Sequence, residues 1–432
     1  MKKIYLLFAV LCLFTGLQAQ VSKTVEVTAG RLDSLLSATE HGTVTDLTLT
    51  GTLDARDFKT MRDLMPLLEN VDLAGAVIAE YDGRDGTACI TSDDSIFYAA
   101  DEIPMNALCK VYFPGYFKND KKFKSIVLPL SIKSIGEKAF INSCGLTSLE
   151  IPQGVTSIGA YAFCACLGLR NIVLPSSLEA IEPYAFSRCI SLESIDLPSA
   201  VTTIEEALFM GCTSLSAITL SSSITNIKEQ AFSGCTALTS VTIPASVTNI
   251  GFMAFYWCTG LESVILPAST MLYGDFAFGR CTGLQSIYAQ SPTPVELLLY
   301  GVFDGVDKDN CKLYVPPGSR ELYAQANQWQ DFKNILEMTT GIEQTEQDKA
   351  LFHCYPNPFT SETTIEIQNP SLKEVTVEIF SVSGQKIQSL VQAQKGAKIN
   401  CKWNGRNESG QKMPGGVYLL KVNGETRKVV KN

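Results

Sequence analysis

With 432 residues, 46% of them hydrophobic and 18% charged, the chain has apolar side chains enough to fold and is too long for one ordinary core. Its formal net charge of −9, from 44 acidic and 35 basic residues, leaves no basic footprint for nucleic acid and favours solubility. Length alone therefore points to two or three domains or to a repeat array.

The chain opens on a targeting pattern. Lys2 and Lys3 precede an apolar run from Ile4 to Phe14, and Leu17-Gln18-Ala19 places a small residue ahead of Gln20. This predicts a cleaved secretory signal peptide over residues 1–19, because the run is too short to span a bilayer. Cys12 lies inside that run behind Leu11, where a lipoprotein would carry a small residue, so lipid anchoring is disfavoured. No later stretch is long and apolar enough for a transmembrane helix, and membrane attachment is expected to be indirect.

Residues 20–116 read as an N-terminal cap with degenerate repeats and an insertion. Leu47-Thr48-Leu49 and Val71-Asp72-Leu73 are strand-like and 24 residues apart, each followed by glycine (Gly51, Gly75). Arg31 to Thr39, with Leu32, Leu35 and Leu36, predicts a helix over the open end of the array. Residues 76–118 depart from any period, with an insertion after Ala107-Leu108.

From residue 117 to 305 one pattern recurs every 23 residues. Phe140, Phe163, Phe186, Phe209, Phe232, Phe255 and Phe278 mark it, each followed after six residues by Leu (Leu146 to Leu284). After nine residues comes Leu149, Ile172, Ile195, Ile218, Val241, Val264 or Ile287, with Ile126 one period earlier. Between Leu192 and Pro198 the apolar residues alternate, Ile195 and Leu197 inward, Ser194 and Asp196 outward, which predicts a short strand. Proline closes six of the eight strands (Pro129, Pro152, Pro175, Pro198, Pro244, Pro267), since it cannot donate to a ladder. Val201 and Ile204 begin the return, and Ala185-Phe186 or Ala231-Phe232 close the coil. One unit cannot bury these side chains alone, whereas stacked units share a core.

The stretch AFSGCTALTSVTIPASVTNIG resembles the BspA-type leucine-rich repeats found in surface proteins of the Bacteroidetes, over roughly residues 103–337. The resemblance implies a right-handed, β-rich solenoid with a concave parallel sheet. Residues 306–338, with CKLYVPPGSRELYAQANQWQDFKNI, resemble the closing unit of such arrays: a last strand, a helix, and Trp329 with Phe332 shielding the end.

Residues 339–351 are polar and aperiodic, a predicted linker. Beyond them, Thr363–Ile367, Val375–Ile379 and Val417–Val422 alternate, and Asn423-Gly424 is a two-residue hairpin signal, so residues 352–432 predict a small antiparallel sandwich. The opening Tyr355-Pro356-Asn357-Pro358-Phe359, the later Gly415-Gly416-Val417-Tyr418 and the basic Arg427, Lys428 and Lys431 resemble the type A C-terminal sorting domain of the type IX secretion system. That implies passage across the outer membrane by the type IX machinery, followed by surface attachment or release.

Chemistry-bearing residues are sparse. Only His41 and His353 occur, one in the cap and one beside the linker, so no Ser-His or Cys-His pair can form in the repeats. Of 14 cysteines, Cys166, Cys189, Cys212, Cys235, Cys258 and Cys281 share the 23-residue spacing, with Cys144 displaced by one. One thiol per coil makes a line, not the tetrahedral cluster zinc requires. The line reads as small buried hydrophobes, with disulfides between coils as the alternative. Asp82, Asp85, Asp93 and Asp94, then Asp304, Asp307 and Asp309, lack calcium-loop spacing and read as solvated turns, with weak calcium binding as the alternative. Glu150 and Asp196 share a face but stand two coils apart, too far for a catalytic pair. No cofactor motif occurs, and none is expected.

The outward strand positions form two columns. Ser125, Ser148, Asn171, Ser194, Ala217, Ser240, Ser263 and Ser286 are small; Val127, Glu150, Val173, Asp196, Thr219, Thr242, Ile265 and Tyr288 vary. Variation on a constant frame suits recognition, though a merely solvated sheet tolerates it too. Val173, Asp196, Thr219, Thr242, Ile265 and Tyr288 are therefore candidate ligand contacts, together with Tyr256 and Trp257 in a turn where most other coils carry a small residue in at least one of the two slots, as in Ser233-Gly234; packing of Trp257 on a neighbouring coil is the alternative. The expectation is a non-enzymatic secreted or outer-membrane-surface protein that binds an extracellular protein or glycan in the manner of an adhesin. The alternatives are a self-associating structural protein and a hydrolase with its site in residues 76–118.

Overall fold

The computed structural model describes residues 20–432 except 89–94, 109–110, 113–115, 118–122, 298–299, 339–350, 358, 369–373, 382–385, 395–397, 415, 423–424 and 432. The expected signal peptide, most of the linker, Asp93 and Asp94, Pro358, Gly415 and the Asn423-Gly424 turn lie outside the described residues. The chain divides into two compact units at Met338/Thr339.

The first unit is a solenoid in which each coil adds one strand to a parallel sheet. Ser22–Val27, Asp46–Leu53, Asn70–Ile78 and Ser125–Val127 form one ladder of that sheet. Ser148–Glu150 pairs Asn171–Val173, and Ser194–Ile195 pairs Ala217–Ile218. Ser240–Thr242, Ser263–Leu266, Ser286–Ala289, Lys312–Val315 and Asn334–Glu337 close the series. The period dictates the register: Ser148 faces Asn171 and Ser240 faces Ser263, so equivalent side chains stack.

A second parallel sheet runs along the return path, in two ladders of two-residue strands. Ser134–Ile135, Ser157–Ile158 and Ala180–Ile181 belong to one, Thr203–Ile204, Asn226–Ile227 and Asn249–Ile250 to the other. Ile135, Ile158, Ile181, Ile204, Ile227 and Ile250 keep the 23-residue period, but two residues per strand give no alternation, so the column does not read as a sheet. The closing turn carries a third ladder, with Phe163 N–H donating to Ala185 O at 2.8 Å and Phe232 N–H to Ala254 O at 2.8 Å. Two backbone positions per coil sit in the left-handed region there, for example Tyr184 (φ 62°) and Arg188 (φ 60°).

The recurring phenylalanines form one stack. Rings from Phe140 to Phe303 lie nearly parallel, with centroids between 5.0 and 5.9 Å apart, and none is exposed. Burying each such side chain contributes about 1.5–3 kcal/mol. The ladder cysteines lie beside this stack, fully buried and free. Each thiol donates to the phenylalanine carbonyl of the preceding coil: Cys189 Sγ to Phe163 O at 3.2 Å, Cys212 Sγ to Phe186 O at 3.1 Å. That carbonyl already takes a backbone donor from its own coil, as in Cys166 N–H to Phe163 O at 3.1 Å. The thiol supplies its second donor, which alanine would not.

Both ends differ from expectation. At the N-terminus, the stretch Arg31–Thr39 does not form one helix over an open end. It contributes two short helices, Leu32–Leu35 and Ala38–Thr43, to a coil whose own strand, Ser22–Val27, ends the sheet. The second helix starts on a capping box between Ser37 and Glu40. At the C-terminus the closing unit contributes two strands, not one. Trp329 packs on Phe303 at 5.2 Å and Tyr323 at 5.3 Å, and Phe332 meets Phe303 at 5.4 Å, so the ring stack ends against aromatic faces.

The irregular segment is one ordinary coil with two excursions. Asn70 pairs with Ser125, 55 residues on, while Glu102–Ile103 joins the second sheet beside Ser134–Ile135. The excursions are antiparallel hairpins: Tyr81–Gly83 with Ile96–Tyr98, and Val111–Tyr112 with Tyr116–Phe117. Arg62, buried on the helix Ala55–Leu64, ties the first hairpin down by donating to Thr87 O (2.6 Å) and Asn106 O (3.0 Å).

The second unit is an antiparallel sandwich. Leu351–Tyr355, Thr363–Gln368 and Lys398–Trp403 form one sheet; Lys386–Gln394, Val375–Ser381, Gly416–Val422 and Glu425–Lys431 form the other. Its core includes Ile365, Ile379, Trp403 and Leu420, each unexposed.

Candidate functional site

The expected contact column exists as a geometric unit. Thr242, Ile265 and Tyr288 are successive partners on adjacent strands, and the register carries the column on to Tyr314 and Leu336. Glu150 faces Val173 in the same way. Asp196 and Thr219 are exposed on the intervening coils, each just past a shortened two-residue strand.

The column changes character along its length. Over its first coils exposed Val127 and Val173 alternate with Glu150 and Asp196, and Thr219 and Thr242, also exposed, follow. Past them, Ile265 and Tyr288 are half-buried, Tyr288 and Tyr314 stack with centroids 4.7 Å apart, and Leu336 is 41% exposed. Tyr314 and Leu336 escape the sequence reading because the spacing leaves 23 after Ser286, whose partner is Lys312. The one signal was Leu313-Tyr314-Val315 running into Pro316, the strand-then-proline ending of the regular coils.

The opposite end of the face is a polar rim. Asp46 accepts from Gln20 Nε2 at 2.8 Å and Asn70 Nδ2 at 2.9 Å, and Ser125 Oγ donates to Asn70 Oδ1 at 2.7 Å. Burial alone would raise the Asp46 pKa, but the donors Thr45, Gln20 and Asn70 outweigh it and hold the carboxyl below its ordinary value. With Glu69 and Lys124, these residues line a shallow cleft of about 220 Å³.

Tyr256 and Trp257 lie on the turn side, away from that column. Trp257 is 53% exposed and takes the left-handed conformation (φ 60°) that Gly211 and Gly234 adopt in earlier coils. Tyr256 meets it edge-on at 6.4 Å, and the Arg280 guanidinium stands 6.0 Å from its ring.

The remaining candidates are dispersed. His41 Nε2 is 3.5 Å from Asp33. Asp307 spends its carboxylate inside its own turn, accepting from the Asp309 and Asn310 N–H groups at 3.2 Å and from Asn310 Nδ2 at 2.8 Å, which holds it below its ordinary pKa. Glu150 and Asp196 are separated by the Val173 strand. Among the described residues, no group of three His, Cys, Asp or Glu is placed to hold a metal ion.

In the sandwich, the opening motif and the closing strand are one assembly. Asn357 Oδ1 accepts from Val430 N–H at 2.7 Å, and Phe359 N–H donates to Val430 O at 2.9 Å. Phe359 is buried on Trp403 (5.3 Å), which meets Tyr418 at 5.0 Å. Tyr418 OH donates to Pro414 O at 2.8 Å, and the exposed Tyr355 reaches Glu366 at 3.3 Å. Gly416 opens the strand that pairs with Glu425–Lys431.

Comparison with known proteins identifies the family of each unit. Residues 114–235 and 202–306 match the BspA type leucine rich repeat region, in six copies, and residues 353–432 match the secretion system C-terminal sorting domain. Among solved structures, a leucine rich cell surface protein from Faecalibacterium prausnitzii is 22% identical, covering 61% of this chain and 78% of that one (TM-score 0.33). The Treponema pallidum leucine rich repeat protein is 27% identical over 38% of this chain and 76% of its own (TM-score 0.27). A leucine-rich repeat protein from Bacteroides ovatus is 20% identical over 67% and 87% (TM-score 0.24). No protein of curated function matches significantly.

Proposed function

We infer that this cell-surface leucine-rich repeat protein, exported by way of its C-terminal sorting domain, binds an extracellular partner on the outward face of its first sheet. The observation carrying this is the contact column: its frame is constant, while its outward residues pass from mixed valine, acidic and hydroxyl groups into the unbroken apolar run Ile265, Tyr288, Tyr314 and Leu336. A continuous aromatic and aliphatic anchor beside small polar residues is how protein hot spots are composed. The serine column alongside keeps the backbone approachable. The chain acts by binding, not catalysis, and adhesion to an extracellular protein is the role this face serves.

The test uses the mature full-length chain against immobilised extracellular-matrix proteins, with affinity measured for any that bind. Thr242→Arg and Ile265→Arg should each weaken binding by about tenfold or more, roughly 1.4 kcal/mol, at an unchanged melting temperature. Unchanged affinity in both would remove the sheet face from consideration.

A further inference from the structure

Apart from the sheet face, the turn side of the last regular coils carries a second patch. In the column three residues before each phenylalanine, earlier coils hold Glu206 and Glu229, but later ones hold Phe252 (37% exposed) and Tyr300 (83% exposed). Where Gly211 and Gly234 stand, the next coil has Trp257. Where Ala207 and Gln230 stand, a later one has Phe276. These rings adjoin: Tyr256 meets Trp257 at 6.4 Å and Phe276 at 6.5 Å, and Phe276 N–H donates to Tyr300 O at 3.3 Å. The strip therefore crosses three successive coils along the stacking direction.

Polar groups are interleaved with the rings. Asp275 stands between Phe252 and Tyr300 in their column, its backbone oxygen accepting from Met253 N–H at 2.9 Å. The residue is half-buried: its carboxyl oxygen Oδ1 is covered and has no hydrogen-bond partner among the described residues, which leaves the rest of the carboxylate to face outward as an acceptor. Arg280 flanks Trp257 on the other side. A protein hot spot would place such groups at a rim around a dry centre. A lipid surface would need several basic residues around the rings, whereas Arg280 is set against Glu229 and Asp275 in the column of Phe252 and Tyr300, in a chain of net charge −9.

We propose that this strip binds a neutral, extended glycan laid along the stacked coils, with Trp257 and Tyr300, two coils apart, against the C–H faces of alternate sugars and Asp275, on the coil between, accepting from a hydroxyl. Aromatic faces carry partial negative charge and attract polarised C–H groups. An extended, equatorially linked chain advances by close to one coil spacing per sugar, so rings two coils apart can serve sugars two apart. The proposal stands independently of the sheet face.

Tryptophan fluorescence reports this site, because Trp329 and Trp403 are buried (1% and 0% exposed) and Trp257 is not. The mature full-length chain is titrated with cellohexaose, with chitohexaose and, separately, with phosphatidylcholine–phosphatidylglycerol vesicles. A saturable blue shift with protection from acrylamide by either hexaose is expected. By calorimetry, Trp257→Ala and Tyr300→Ala should each weaken that binding at least tenfold, Asp275→Asn should weaken it severalfold, and Thr242→Arg should leave it unchanged. Because Tyr300 is almost wholly in solvent, its variant keeps the test valid if Trp257→Ala perturbs the turn. No response to either hexaose, a response to vesicles alone, or loss of binding in Thr242→Arg overturns the proposal.

Discussion

Raising the pH should unfold the repeat unit through its buried thiols. Burial pushes the Cys212 thiol up to about 12 and drives Cys189, Cys235 and Cys258 well above their ordinary value. An unfolded thiol ionises near 8.5, so above that pH the unfolded chain releases protons that the folded chain retains. Stability then falls as pH rises; the contribution is complete below about 8.5 and is lost progressively toward about 12. At pH 10 each such thiol costs about 2 kcal/mol, from roughly 1.5 pH units at about 1.4 kcal/mol each. Four of them cost on the order of 8 kcal/mol, comparable to the whole stability of a domain. Tyr273 and Tyr323, also pushed up by burial, add to the loss only above about pH 10, where a free tyrosine begins to ionise.

Urea unfolding followed by circular dichroism at pH 7.5, 9 and 10 measures this directly. Cys212→Ala should be less stable at pH 7.5, having lost the donor to Phe186, yet should lose less stability on going to pH 10. Thiol titration belongs beside it: at neutral pH the ladder cysteines should stay unmodified by an aromatic disulfide reagent until denaturant is added. A midpoint that does not move between pH 7.5 and 10, or rapid modification of the native ladder, would refute the reasoning. So would an intact mass showing several disulfides among the ladder positions.

Phe209→Ala, in the middle of the ring stack, should cost about 3–5 kcal/mol by opening a cavity that flanking rings fixed by ladders cannot fill; urea unfolding reads it. Deleting Tyr355 to Asn432 should leave the repeats folded by circular dichroism and the protein in the periplasm, and normal amounts at the surface would contradict that. Asn357→Ala leaves Val430 N–H without its partner and should destabilise the sandwich by about 1–3 kcal/mol. A thermal melt of the full chain with two transitions should show only the sandwich transition lowered.

The repeat frame was legible because each of its columns is a separate physical demand repeated without exception: a ring for the stack, a leucine before the strand, a β-branched or leucine residue within it. The second sheet was not legible as strands: its isoleucines, Ile135 to Ile250, recur every 23 residues, but Ser157–Ile158 or Asn226–Ile227 offers two residues and no alternation. The N-terminal coil was misread because Val25 and Val27 alternate inward from residue 22, outside the window in which the leucines of Arg31–Thr39 suggested a helix. The two-hairpin coil was unreadable for a different reason: its partners lie 55 residues apart, and only pairing across the sheet shows that Ser125 follows Asn70. Of the candidate contacts, the strand column followed from period two, while Tyr314 and Leu336 required the register of strands that break the period.

That contrast bears on where function can reside in such a chain. Every coil is held by its neighbours through two strand ladders, a turn ladder and the ring stack, so an inward substitution is felt by at least two coils. Outward positions carry none of these bonds and can change at little cost. Exposed apolar side chains occur singly along the coils, as at Val127, Leu130 and Ile190, but rings gather at the end of the sheet face around Tyr288 and Tyr314 and in the turn strip around Trp257. Trp257 illustrates the point most sharply. It occupies a left-handed backbone position that glycine fills without strain two coils earlier and one coil earlier, where a bulky residue is sterically disfavoured. Its side chain buries only half its surface in return. The same slot takes Arg188 and Arg280 at φ 60° and 56°, so the backbone tolerates a long side chain there; what sets Trp257 apart is a half-exposed indole, and the proposed glycan would cover that exposed half.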